Sequence, residues 1–130
     1  MIENNVLSQR NQKEFEDNPF LMCDSEECNY IISNTPQNVK LLLDVAHLKV
    51  SSNSLQFDPI KFTNSCKSII GGYHLSDNDG LSDSNEPFTE DAWFWNCLKT
   101  DLNYYSVEVY NQSNDRLKLL RNMVQNKLKI

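Results

Sequence analysis

The sequence predicts an α/β protein built on a parallel sheet, and three observations lead there. Strand-like and helix-like stretches alternate four times along the chain, which is the grammar of strand–helix units rather than of hairpins. The run over residues 39–45, Val-Lys-Leu-Leu-Leu-Asp-Val, is nearly continuous apolar, as a strand buried on both faces requires. Four acidic or imidazole side chains, Glu3, Asp44, His74 and Glu108, stand near the C-terminal ends of the four strand-like runs. Parallel-sheet folds gather their catalytic groups at that end.

Residues 1–7 form a short apolar–polar run and are read as the first strand. A polar stretch rich in Asn, Gln and Glu follows, then a helix over 24–33 capped by Asp24 or Ser25. Pro36 closes that region, and 39–45 is the second strand. Asp58-Pro59 opens a helix that runs to about residue 68: the carboxylate caps free N–H groups, and proline in the first turn has no N–H to leave unpaired. Residues 69–75 are the third strand, loosened at its start by Gly71-Gly72. The segment 76–87, dense in Asp, Asn, Ser and Gly, is a long loop. Thr89 is expected to cap a helix carrying Ala92, Trp93, Trp95 and Leu98, with the Trp93-Phe94-Trp95 group as helix packing. Residues 105–110 alternate as a fourth strand. A last helix over 113–129 places Leu117, Leu120, Val124 and Leu128 on one face.

At 130 residues the chain makes one domain with a modest core. Its net charge of −6 disfavours a nucleic-acid partner, because that binding depends on Lys and Arg neutralising phosphates. The basic residues between Arg116 and Lys129 are read as a solvated helix face. No apolar run reaches the roughly 18 residues that suggest a membrane span, and residues 1–5 lack a secretory pattern. A cytoplasmic protein is therefore expected, with Cys23, Cys28, Cys66 and Cys97 as reduced, partly buried thiols. The lone Cys-x4-Cys spacing is a weak zinc signal.

The chemistry rests on the four strand-end residues and on His47. Asp44 follows three leucines, where an unpaired carboxylate would be costly to desolvate, so it wants a cation or several donors. His47, three residues on, is a candidate second ligand or substrate donor. His74 leaves the third strand just ahead of Asp77 and Asp79, both candidate substrate-binding residues. Glu108 lies between Val107 and Val109, which face the other way. Three carboxylates with one imidazole suit a single divalent ion, Mn, Mg or Co at least as well as Zn.

The pieces Ile2-Glu3-Asn4-Asn5, Leu43-Asp44-Val45-Ala46-His47, His74-Leu75-Ser76-Asp77 and Ser106-Val107-Glu108-Val109 resemble the C-terminal half of the xylose isomerase-like TIM barrels. That superfamily holds sugar isomerases and epimerases together with zinc-dependent apurinic endonucleases. The resemblance covers almost the whole chain, from the fifth strand through the eighth helix. It implies the C-terminal half of a (β/α)8 barrel, four parallel strand–helix units long, with one divalent metal ion on Glu3, Asp44, His74 and Glu108. It further implies His47 in contact with a small sugar-like substrate, and Glu3 and Glu108 as the proton-transferring pair of an enediolate mechanism.

The endonuclease branch carries an Asp-x-His soon after the third-strand histidine, and here that place reads Asp83-Ser84-Asn85. No arginine lies between His74 and Asp101, where the epimerase branch carries one. A whole barrel needs about 250 residues, so the chain is read as one half-barrel domain over 1–130, a fragment of a longer protein. Closure by a missing half or by self-association is expected. The readings in order are a metal-dependent sugar isomerase or epimerase, an apurinic endonuclease-like phosphoesterase, and an inactive half-barrel binding or assembly module.

Overall fold

The structure is a computed structural model that describes all 130 residues. Four parallel strands, β1 (Ile2–Glu3), β2 (Leu41–Asp44), β3 (Ile70–Leu75) and β4 (Tyr105–Val107), lie in the spatial order of the sequence. Five α-helices accompany them: α1 (Gln9–Phe15), α2 (Ser25–Ser33), α3 (Val45–Leu55), α4 (Pro59–Cys66) and α5 (Asn114–Leu128). The α/β class with a parallel sheet is as expected.

Each helix begins on a side chain that accepts from its first free N–H groups: Ser8, Asp24, Asp44, Asp58 and Ser113 in turn. The helices α2, α4 and α5 match the expectation to within two residues. Two helices were not anticipated. α1 is short and, apart from the exposed Phe15, polar, with no buried residue, so no apolar stripe announced it. α3 starts directly from the last residue of β2 and contains Val, Ser and Asn, which are weak helix formers. Burial supports it instead: Val45, Ala46, Leu48 and Val50 are all in the interior. Ser52 and Ser54 return their hydroxyls to Lys49 O and Val50 O at 2.8 and 3.1 Å.

The helix expected from Thr89 does not form. Ala92, Trp95 and Cys97 bond back three residues, to Thr89, Ala92 and Phe94, and a single 3-10 turn at Trp95–Cys97 is all that results. The third strand–helix unit therefore lacks its α-helix. Packing explains the difference. Phe88 and Phe94 are fully buried and meet edge to face with ring centres 5.6 Å apart, while the Trp95 indole N–H donates to Thr89 O at 2.9 Å. Tight turns bring these neighbouring rings inward together; an α-helix would fan them around its axis.

Register decides which face each strand residue occupies. β2 and β3 pair Leu41 with Ile70 but Leu42 with Gly72, so Gly71 is an inserted residue, a β-bulge. Beyond it Leu43 faces Tyr73 and Asp44 faces His74. Leu41, Leu43, Tyr73, Leu75, Tyr105 and Val107 thus point to one side, where they join Phe62, Phe94, Leu120 and Val124 in the core. Glu3, Leu42, Asp44, His74 and Ser106 point to the other. No helix is long and apolar enough to cross a membrane.

Candidate metal centre

Glu3, Asp44, His74 and Glu108 converge at the C-terminal ends of the four strands. Each offers one ligand atom, and the four atoms lie within 4.8 Å of one another. His74 Nδ1 is the hub, at 2.7 Å from Glu108 Oε2, 3.3 Å from Glu3 Oε1 and 3.8 Å from Asp44 Oδ2. Donors around a divalent ion at ~2.1 Å sit ~3 to ~4.2 Å apart, so this set needs only small side-chain adjustments to enclose one. Although Glu108 is near, Nδ1 is buried and makes no hydrogen bond. A buried, unbonded ring nitrogen facing three carboxylates is the arrangement a bound cation would satisfy.

Asp44 divides its two oxygens. Oδ1 accepts from Ala46 N and His47 N, both at 2.8 Å, and so caps α3; Oδ2 faces His74. The side chain is only 1 % exposed. Burial raises its pKa, working against the His47 charge and the His47 amide that lower it. The expectation of a cation or several donors is met on the donor side by the cap, with the second oxygen left for the cluster. Glu3 and Glu108 remain 37 % and 35 % exposed, open enough to reach a ligand.

Asn4, which sequence reasoning missed, locks β1 to β2 beside this site. Its side chain accepts from Asp44 N at 2.7 Å and donates to Asp44 O at 3.1 Å. The only trace of it in the sequence was an amide side chain directly after the strand glutamate.

His47 stands beside the cluster, with Nδ1 3.6 Å from Glu3 Oε1. Its ring is held at both ends, Nδ1 by Asn4 O at 2.9 Å and Nε2 by Asp83 at 3.2 Å. Burial alone would pull its pKa down; the Asp83 hydrogen bond and the nearby Asp44 charge outweigh that and raise it to about 9. Asp83 also forms part of the wall of a cavity of about 350 Å³ between α1 and the loop at Leu81.

The loop after β3 is fixed to α3. Asp77 and Glu86 pair main chain to main chain at its base, and Lys49 Nζ donates to Asp77 Oδ1 at 2.6 Å. Asp79 accepts from Leu81 N and Ser82 N. Gly80, at φ 78°, has Asn53 against it where a Cβ would stand, so only glycine fits that turn. Asp77 and Asp79 are therefore engaged in shaping the loop and stand outside the four-residue cluster, whereas the loop delivers Asp83 to His47. Asn85 is buried and accepts from Ser76 Oγ at 2.9 Å.

No family model, curated protein or solved structure matches this chain.

Proposed function

We propose that this chain is the C-terminal half of a (β/α)8 barrel of the xylose isomerase-like kind and supplies the metal site of a sugar isomerase or epimerase. The observation that carries the proposal is the convergence of three carboxylates on the unbonded Nδ1 of His74. The sequential parallel order, with β1 and β4 both at sheet edges, supports the half-barrel, since a closed barrel leaves no edge.

Glu3, Asp44, His74 and Glu108 would hold the ion. When bound, a divalent cation polarises a carbonyl and its neighbouring hydroxyl and acidifies the carbon-bound proton between them. Glu3 ends β1 and Glu108 directly follows β4, the two outermost strands, and both are half-open, so they would approach a ligand from the two edges of the sheet. One carboxylate takes the proton and the other returns it. His47 stands beside Glu3 with both ring nitrogens engaged, and would reach a substrate oxygen by turning Nε2 from Asp83 to it. The phosphoesterase reading is weaker, because Asn85 fills the place of the second histidine of an Asp-x-His and its side chain is committed to Ser76.

The test begins with metal content per chain in protein purified without chelator, expected near one Mn, Co, Mg or Zn. His74→Ala should weaken metal binding, and unchanged affinity would remove it from the ligand set. Glu108→Gln should abolish solvent proton exchange at the substrate carbon in a screen of sugars while leaving folding nearly intact. Full exchange in that variant would overturn the mechanism.

A further inference from the structure

We propose that two copies of this chain associate about a two-fold axis parallel to the strands, with β4 of each beside β1 of the other. The proposal rests on the half-barrel reading above and names what covers its open edges: a second copy of the chain.

The backbone supplies the first observation. β1 and β4 each have a single neighbour in the sheet. In β1, Ile2 N and Asn4 N donate to Lys40 O and Leu42 O at 2.9 and 3.3 Å, so strand alternation turns the main-chain groups of Glu3 outward. In β4, Tyr104 O accepts from Tyr73 N and Glu108 N donates to Leu75 O, both at 3.1 Å; the main-chain groups of Tyr105 and Val107 therefore turn outward. Such edges are templates for a further strand. A two-fold axis along the strands keeps all the strands parallel and pairs both edges at once, which closes the ring.

Charge supplies the second observation, and it chooses between edges. Asn5 N donates away from β2 to Met22 O at 3.2 Å, which holds the segment ahead of α2 along the β1 edge. Between Glu14 and Glu27 the chain has six acidic residues and no Lys or Arg. A cavity of about 590 Å³ there is walled by Phe20, Leu21, Asp24, Glu26, Glu27 and Tyr30 among others, and Leu21 and Tyr30 are 65 % and 71 % exposed. The β4 edge is the opposite. From α5 to its cap the chain carries Arg116, Lys118, Arg121, Lys127 and Lys129 against one acid, Asp115. Lys127 Nζ lies over the Trp95 ring at 5.9 Å, which marks the flank of α5 that faces the preceding turn. On the other flank Asn114, Leu117, Lys118 and Arg121 line a hollow of about 300 Å³. Setting β4 beside β1 of the second copy brings this basic flank to the acidic segment, twice per dimer. Pairing β1 with β1 would instead set acid against acid.

Closure also places two metal clusters at one mouth, where their carboxylates repel one another. A cation in each relieves that repulsion, so added manganese should tighten the dimer.

Sedimentation equilibrium of the full chain, with and without manganese, tests the proposal. The expected result is a dimer of twice the 15.1 kDa chain mass, weakened by salt. Replacing Lys118 and Arg121 together by Glu should weaken association roughly tenfold or more. Val107→Pro removes an outward N–H, which an edge strand tolerates, and should give a folded monomer by circular dichroism. Hydrogen exchange on the wild-type dimer decides even if that variant misfolds: the Tyr105 and Val107 amides should exchange slowly and become fast on dilution to monomer. A monomer at every concentration, assemblies that keep growing, fast exchange of those amides in the dimer, or a dimer indifferent to the Lys118 and Arg121 charges would overturn it. Metal content on the same samples separates the two readings. A dimer without metal would sink the functional reading alone, and a monomer holding one ion would sink this one alone.

Discussion

The two faces of the sheet are made from the same four strands, yet they serve opposite ends. On one, Leu41, Leu43, Tyr73 and Leu75 are fully buried among helix side chains. On the other, alternate residues at or just past the ends of the same strands bring one ligand atom each of Glu3, Asp44, His74 and Glu108 within 4.8 Å of one another, and Met1 and Tyr104, which flank β1 and β4, stay 55 % and 42 % exposed. Parallel sheets are normally covered on both faces. The comparison teaches that the apolar face holds the fold, while the charged face is arranged at the expense of stability. Three carboxylates around one imidazole repel each other until a cation or protons intervene.

That comparison can be broken or sharpened by substitution. The largest expected effect is on the covered face. Tyr73→Ala removes a fully buried ring that stacks on Tyr105 and whose hydroxyl accepts from Lys99 N at 3.1 Å, so urea unfolding should show a loss of about 3–5 kcal/mol. A loss below ~1 kcal/mol would mean that the apolar face does not hold the fold.

Gly71→Ala acts on both faces at once. An added Cβ would stand 2.6 Å from Lys40 Cβ, and relieving it must disturb the bulge that sets His74 opposite Asp44. A loss of about 1–3 kcal/mol is expected, together with weaker metal binding by calorimetry. Retained metal affinity would show that the bulge does not set the site.

Asn4→Ala leaves Asp44 N and O without their side-chain partner and should cost about 1–3 kcal/mol. The open face should respond least in stability and most in binding. His74→Ala should leave the metal-free midpoint within ~1 kcal/mol while metal affinity falls roughly tenfold or more. The smallest effect is expected from Asp83→Asn: metal affinity unchanged, with the His47 ring losing its charged partner, visible as a lowered His47 pKa by NMR titration.

Much of this was legible in the chain. Proline and aspartate at Asp58-Pro59 announced α4, and the leucine run announced β2, because both signals are local. The four cluster residues could be named from their places at strand ends, since side-chain alternation in a strand is a fixed period. The helix expected after Thr89 failed because ring packing among Phe88, Phe94 and Trp95 overrode local capping. The helix α3 was hidden because its stability comes from burial and from an Asp44 cap that doubles as a cluster residue.

The sequence by itself determined the α/β class, the parallel strands and the identity of the carboxylates and imidazole, because these follow from periodicity and residue chemistry. Only the tertiary structure decided that a one-residue bulge at Gly71 sets His74 opposite Asp44. It alone decided that Asn4 clamps Asp44 and that a loop anchored on Lys49 and Asn53 brings Asp83 to His47. Those outcomes depend on register and on contacts between residues distant in the chain, and no local pattern encodes them.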